Sequence, residues 1–197
     1  MAGPLQSAIA ELFQTSIRVK QAFLAENGPA LERAIGLVGD ALAAGRKVLL
    51  FGNGGSAADA QHIAAELVGR FQQDRRALSA IALTTDTSAL TAIANDFGYE
   101  AVFARQVEAL GAPGDVALAI STSGRSPSVL RAVETCRARG IATIGLTGGD
   151  GGALAGAVDV ALRVSESTHS ARIQETHILI GHVICELVDR RLAGSGA

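Results

Sequence analysis

Two short apolar runs in this chain end in the same way. Val48-Leu49-Leu50-Phe51 stops at Gly52-Asn53-Gly54-Gly55-Ser56, and Val116-Ala117-Leu118-Ala119-Ile120 stops at Ser121-Thr122-Ser123-Gly124-Arg125-Ser126. Each then opens into a helical pattern. A continuous apolar run of this length suits a strand covered on both faces, and a helix straight after it is the crossover that parallel pairing requires. Runs at about 80–84, 141–146 and 158–164 repeat the alternation, with helices expected at 57–70, across 87–110, at 127–139 and from about 170 to 192. The expected fold is α/β: a five-stranded parallel sheet flanked by helices in three layers.

Residues 1–44 read as an N-terminal helical hairpin ahead of an α/β core at 45–197. Ala8, Leu12, Ile17 and Val19 form an apolar stripe to about Ala25, and Asn27-Gly28-Pro29 is expected to break it. A second helix would carry Leu31, Ile35, Val38 and Leu42, with Gly45 as its C-terminal cap. Ser56 with Asp59 reads as a capping box; Ser126 fits an N-cap, Pro127 the first helical position and Gly140 a C-terminal cap.

The length of 197 residues fits one domain spanning 1–197. With 17 basic and 19 acidic residues there is no broad basic field for nucleic acid. No apolar run reaches membrane-spanning length and no signal-peptide pattern opens the chain, so a soluble cytoplasmic protein is expected. Cys136 and Cys185 lack disulfide-framework or zinc-ribbon spacing and read as small buried residues. Only 18% of residues are charged, which suggests that partner subunits cover some apolar surface.

In parallel sheets ligands bind beyond the carboxyl ends of the strands, at a switch point. The two glycine/serine turns sit at such ends. Exposed N–H groups, hydroxyls and a helix N-terminus together make an oxyanion site. The 52–56 turn fails the dinucleotide fingerprint, because Ala57 stands where its last glycine belongs, and the P-loop lysine is missing; it is either a tight turn or a ligand loop. The second turn is more telling. Ser121, Thr122, Ser123 and Ser126 put four hydroxyls in six positions, where capping needs one. Arg125 beside them reads as a solvated turn residue. His62 and Glu66 share a helix face at i, i+4, either as an ordinary pair or as an acid/base or metal-binding pair, though not in a metalloprotease H-E-x-x-H pattern. Gln174, His177 and His182 fall on the last helix and Asn95-Asp96 follows an apolar segment; each alone carries little.

Taken together, Gly52 to Glu66, Leu83-Thr84-Thr85-Asp86, Ala94-Asn95-Asp96, Ala119 to Gly124 and Arg172-Ile173-Gln174-Glu175 with His177 resemble the phosphoheptose isomerases, over nearly the whole chain and in order. The resemblance implies a SIS-type, flavodoxin-like sandwich, a homotetramer with active sites at subunit interfaces, and a zinc-assisted ketose–aldose isomerisation. Its substrate would be sedoheptulose 7-phosphate and its product a heptose 7-phosphate for bacterial surface polysaccharide. Carried over by position, the metal ligands would be His62, Glu66, Gln174 and His182. Substrate would be held by Asn53, Gly54, Gly55, Glu66, Asn95, Asp96, Ser121, Thr122, Ser123, Ser126 and Gln174. Glu66 and His182 would be the acid/base pair. The family's usual prolines around 75–79 are absent from Arg75-Arg76-Ala77-Leu78-Ser79.

The chemistry suits these roles. Such an isomerisation moves one proton between adjacent carbons and one between their oxygens, and stabilises an enediolate. One geometric demand stands out. Gln174 and His182 are eight residues apart, a rise of about 12 Å along a regular helix, which strains two ligands meant for one ion. Either the helix starts after Gln174, or the two reach one metal from different subunits. A related fold-sharing regulator that binds the replication initiator without catalysis is the alternative reading; a carboxylate at position 66 argues for the enzyme.

Overall fold

The computed structural model describes residues 3–193. Five strands, β1 (Val48–Gly52), β2 (Ala80–Ala82), β3 (Val116–Ser121), β4 (Ala142–Gly148) and β5 (Val160–Val164), form one parallel sheet in the order β2-β1-β3-β4-β5. This is the flavodoxin-like order, in which the chain reverses its direction of travel across the sheet between β1 and β3.

Successive side chains of a strand point to opposite faces, and the sheet uses both. Val48, Leu50, Val116, Leu118, Ile120, Ile144 and Leu146 pack beneath α1 (Pro4–Ala43), α2 (Gly55–Val68) and α7 (Ser170–Ala193). Leu49, Phe51, Ala117 and Ala119 face α4 (Val102–Leu110), α5 (Pro127–Ala138) and α6 (Gly152–Ala157), with Phe51 and Phe103 stacked at 5.6 Å between centroids. α3 (Thr87–Phe97) follows β2, is capped by the Asp86 side chain accepting from Ala89 N–H, and buries none of its residues. Both cysteines are buried, and burial pushes each thiol up to about 12.

The expected hairpin at the N-terminus is a single 40-residue helix with Pro29 inside it. Proline removes one backbone hydrogen bond, yet tertiary contacts outweigh that loss here. The buried stripe Val19, Phe23, Asn27, Leu31, Ala34 and Val38 runs through the proline without a change of face. Asn27 also ties the helix to β5: its Nδ2 donates to the carbonyls of Phe23 and Arg163, and its Oδ1 accepts from Arg163 N–H.

The two expected serine caps take other forms. α2 begins at Gly55 with Gly54 as N-cap, so Ser56 lies inside the helix, buried, and makes no capping box with Asp59. Ser126 does occupy the N-cap position of α5, but its side chain makes no cap hydrogen bond.

Candidate active site

The loops after β1 and β3 meet through one side chain. Asn53 Nδ2 donates to Ser126 Oγ at 2.8 Å and to Ser128 Oγ at 3.1 Å, while Asn53 Oδ1 accepts from the phenol of Tyr99 at 2.8 Å. Ser121 is buried, Thr122 and Ser126 are half-buried, and Ser123 is exposed, where its Oγ accepts from Arg125 N–H. The tight path of this loop depends on Gly124, whose φ is +62°; a methyl group there would stand 2.0 Å from the Gly151 carbonyl oxygen. Arg125 turns outward to an exposed ion pair with Asp150, whose carboxyl it holds below the usual range through a hydrogen bond.

α2 leads away from the first of these loops, and α7, which follows β5, runs beside it. Gly55 opens α2 opposite Gln174 of α7, and Ile63 packs against Gly181, so the two helices run in the same direction. Two turns along, they bring His62, Glu66 and His182 together. Their ligand atoms all lie within 4.8 Å of one another, with His62 Nε2 3.0 Å from His182 Nε2 and 3.3 Å from Glu66 Oε1. Phe71 lies against the His182 ring at 5.7 Å between centroids. Two imidazoles and a carboxylate with converging lone pairs can hold a divalent metal ion.

Gln174 is not in this group. α7 is already helical at Ser170, which removes the option of a helix beginning after Gln174. Its side chain rests against Gly55, where an added methyl would fall 2.3 Å from Nε2, two turns from His182. Asn95 and Asp96 are exposed at the end of α3 and bond to each other, Asn95 Nδ2 to Asp96 Oδ1 at 2.7 Å. No hydrogen bond among the described residues joins them to either loop, although Tyr99 lies just beyond them in the chain. His177 is fully buried and structural: its ring shares a hydrogen bond at 3.1 Å with the Thr147 carbonyl of β4, and burial lowers its pKa from 6.5 to about 4.

Three features escape sequence reasoning. Tyr99 is one; its only signal is a tyrosine directly after Gly98. Asp59, one turn before His62, is another: its Oδ2 is buried with no hydrogen-bond partner among the described residues, and burial raises its carboxyl above the usual value against the attraction of His62. The third is in the proline-free loop. Arg75 Nε donates to Asp189 at 2.5 Å, and its Nη atoms donate to the carbonyls of Glu66, Leu67, Gly69 and Arg76. Asp189 also accepts from Gln72 and Gln73 N–H. The two side chains are only 4% and 1% exposed, so the loop holds a buried ion pair that grips the carbonyl end of α2.

Comparison with known proteins agrees with this geometry. Residues 11–148 match the family described as SIS domain. The phosphoheptose isomerase of Roseiflexus sp. (strain RS-1) is 55% identical over 179 residues, 91% of this chain and 90% of that protein. That of Aquifex aeolicus is 53% identical over 92% of this chain and 94% of its own length. The structure of phosphoheptose isomerase GmhA from Neisseria gonorrhoeae superimposes with a TM-score of 0.88 at 47% identity, covering 94% of this chain and 99% of that one. A relation this close over nearly the full length of both partners is more than a shared fold, and the chain belongs to the SIS domain family, among the phosphoheptose isomerases.

Proposed function

We propose that this chain interconverts sedoheptulose 7-phosphate and D-glycero-D-manno-heptose 7-phosphate by proton transfer through an enediol(ate), as a step toward heptose for bacterial surface polysaccharide. The observation that carries the reading is the convergence of Glu66 and His62, on the helix that starts at the switch-point loop after β1, with His182 of α7, whose first turns lie beside that loop at Gly55.

The roles follow from chemistry. Ser121, Thr122, Ser123 and Ser126, at the N-terminus of the 12-residue helix α5, bind the phosphate as hydrogen-bond donors. Asn53, Gly54 and Gly55 form the other wall, and Asn95, Asp96 and Gln174 contact sugar hydroxyls. Glu66 removes the proton from C1. The C1–H electrons form the C1=C2 bond, and the carbonyl electrons move to O2, which His182 protonates. His182 then takes the proton from O1, the C1=O bond forms, and Glu66 returns its proton to C2. One proton has moved between carbons and one between oxygens, with nothing left over. Glu66 Oε1 faces His62, which leaves its other oxygen for the carbon-bound proton.

The donor set also fits zinc. Two ligands about 2.0–2.1 Å from a tetrahedral ion stand about 3.3 Å apart, close to the 3.0 and 3.3 Å separations at His62. His62, Glu66 and His182 would hold the ion, His182 through Nε2 so that only its other ring nitrogen would serve the oxygen-bound protons, and the ion would supply Lewis-acid stabilisation of enediolate charge. Gln174, two turns away in its own chain, would complete the set from a neighbouring subunit.

A homotetramer supports that sharing. Leu5, Leu12, Phe13 and Leu24 of α1 are exposed, and beside them Phe23, Leu31, Leu179 and Val183 line an apolar groove between α1 and α7. The whole chain would then act as one domain, in the cytoplasm where sugar phosphates are made. No helix among the described residues is long and apolar enough to cross a membrane.

The experiment is turnover of sedoheptulose 7-phosphate with zinc, followed by aldose formation. Wild type should produce the aldose and Glu66→Gln should not. A folded wild type that forms none rejects the reading. Mixed oligomers of Gln174→Ala and Glu66→Ala chains test the sharing: returned activity is expected, and none at all would count against it.

A further inference from the structure

We propose that Tyr99 is a positioning residue, which orients the Asn53 amide so that the Ser126 hydroxyl keeps its proton for the anionic group of the substrate; this rests on the sugar-phosphate reading above. An amide side chain has one accepting end and one donating end. The phenol of Tyr99 donates to the accepting end at 2.8 Å, which leaves Nδ2 facing Ser126 and Ser128 at 2.8 and 3.1 Å. A serine oxygen that accepts from Nδ2 still carries its own O–H. Ser128, buried at 1% exposure, stands 3.3 Å from Ser126 Oγ and supplies a further hydrogen-bond neighbour behind it. With Ser128 as the donor of that pair, Ser126 meets the loop's interior as an acceptor and its open side as a donor, which is the polarity that a phosphate oxygen needs.

The opposite orientation is chemically allowed and unproductive. With the amide turned over, Oδ1 would take the protons of both serines, and neither hydroxyl could donate to an anion. Tyr99 selects between the two, because a phenol donates more readily than it accepts. Two further observations fit. The Ser126 hydroxyl makes no cap hydrogen bond to α5 although it stands at the N-cap, so its oxygen is free to accept from Asn53 Nδ2 instead of from a helix N–H. Tyr99 is 58% exposed, so core packing does not account for it and the bond to Asn53 is the defined contact of its side chain.

The test is Tyr99→Phe in the full chain, with sugar-phosphate kinetics and competitive inhibition by inorganic phosphate measured beside wild type. The expected result is a KM increase of roughly 3- to 10-fold, the scale of one charge-assisted hydrogen bond weakened in part. The phosphate inhibition constant should rise by the same factor, with kcat within about twofold of wild type and Tm unchanged. In an Asn53→Asp background no donating end remains to be oriented, so Tyr99→Phe should add nothing there. Unchanged KM and phosphate constants, a change confined to kcat, a fall in Tm, or an additive loss in the double variant would each overturn the proposal. A wild-type protein that neither turns over sugar phosphate nor is inhibited by phosphate would sink the underlying functional reading instead.

Discussion

Asp189→Ala should be among the most damaging single changes in this chain, although residue 189 has no part in the proposed chemistry. The carboxylate accepts from Arg75 Nε and from two backbone N–H groups, and both side chains of the pair are almost wholly buried. Removing it leaves the guanidinium buried with carbonyl partners but without a countercharge. Breaking a buried pair in this way costs about 3–5 kcal/mol. In a chain of this length each kcal/mol lowers Tm by about 2–4 °C, so the expected drop is roughly 6–20 °C. The comparison is Glu108→Ala, which breaks the Arg105–Glu108 contact of 3.9 Å between half-exposed side chains. An exposed pair of this kind contributes about 0.2–1 kcal/mol, so Tm should fall by at most about 4 °C. Calorimetry at one fixed protein concentration measures both. Zinc affinity should fall with Asp189→Ala, because Arg75 Nη2 holds the carbonyl of Glu66 itself. If Asp189→Ala melts within about 2 °C of Glu108→Ala, the reasoning about the buried pair is wrong.

Other perturbations separate the parts of the site. Gly124→Ala forces a methyl group against the Gly151 carbonyl at a left-handed φ, and should raise KM for sugar phosphate on the order of 10- to 100-fold; steady-state kinetics checks it. Gly55→Ala meets only the far end of the Gln174 side chain, so it should lower turnover by displacing that amide while Tm holds or rises slightly, since alanine favours helix over glycine. Removing metal with a chelator should abolish turnover without unfolding the chain, as followed by circular dichroism, and added zinc should restore it. The pKa of His177 falls from 6.5 to about 4 on folding, so the unfolded chain binds the extra proton between those values. Its contribution is complete above pH 6.5 and is lost as pH falls toward 4, amounting to roughly 3 kcal/mol; urea unfolding across that window should show the loss, and His177→Gln should flatten it.

The sheet was legible because β1 and β3 are apolar runs that end in glycine/serine turns and the other strands are mostly apolar despite Thr143, Thr147 and Arg163, and the candidate site was legible where it is local. His62 and Glu66 share a helix face by spacing alone, and the serine-rich turn declares itself by having more hydroxyls than a cap can use. What sequence could not reveal is contact between distant positions. Asn53 with Tyr99, and Arg75 with Asp189, are separated by 46 and 114 residues, and no local pattern joins them. The break expected at Pro29 failed for the same reason. Helix propensity near a proline is a local quantity, whereas the stripe from Val19 to Val38 and the clasp of Asn27 on Arg163 belong to the assembled fold. Ser126 taught the converse: its position matched a cap, but its hydroxyl answers to a side chain from another loop.

That unbroken first helix has a mechanical consequence. Forty residues at about 1.5 Å each make a rod about 60 Å long, while a compact body of this many residues is only about 40 Å across. The rod overhangs its own foundation, and residues 3–14 stand exposed along the projecting end. If sister chains brace that end, as the tetramer reading requires, dilution withdraws the scaffold, and the outermost turns should uncoil while the sheet stays intact.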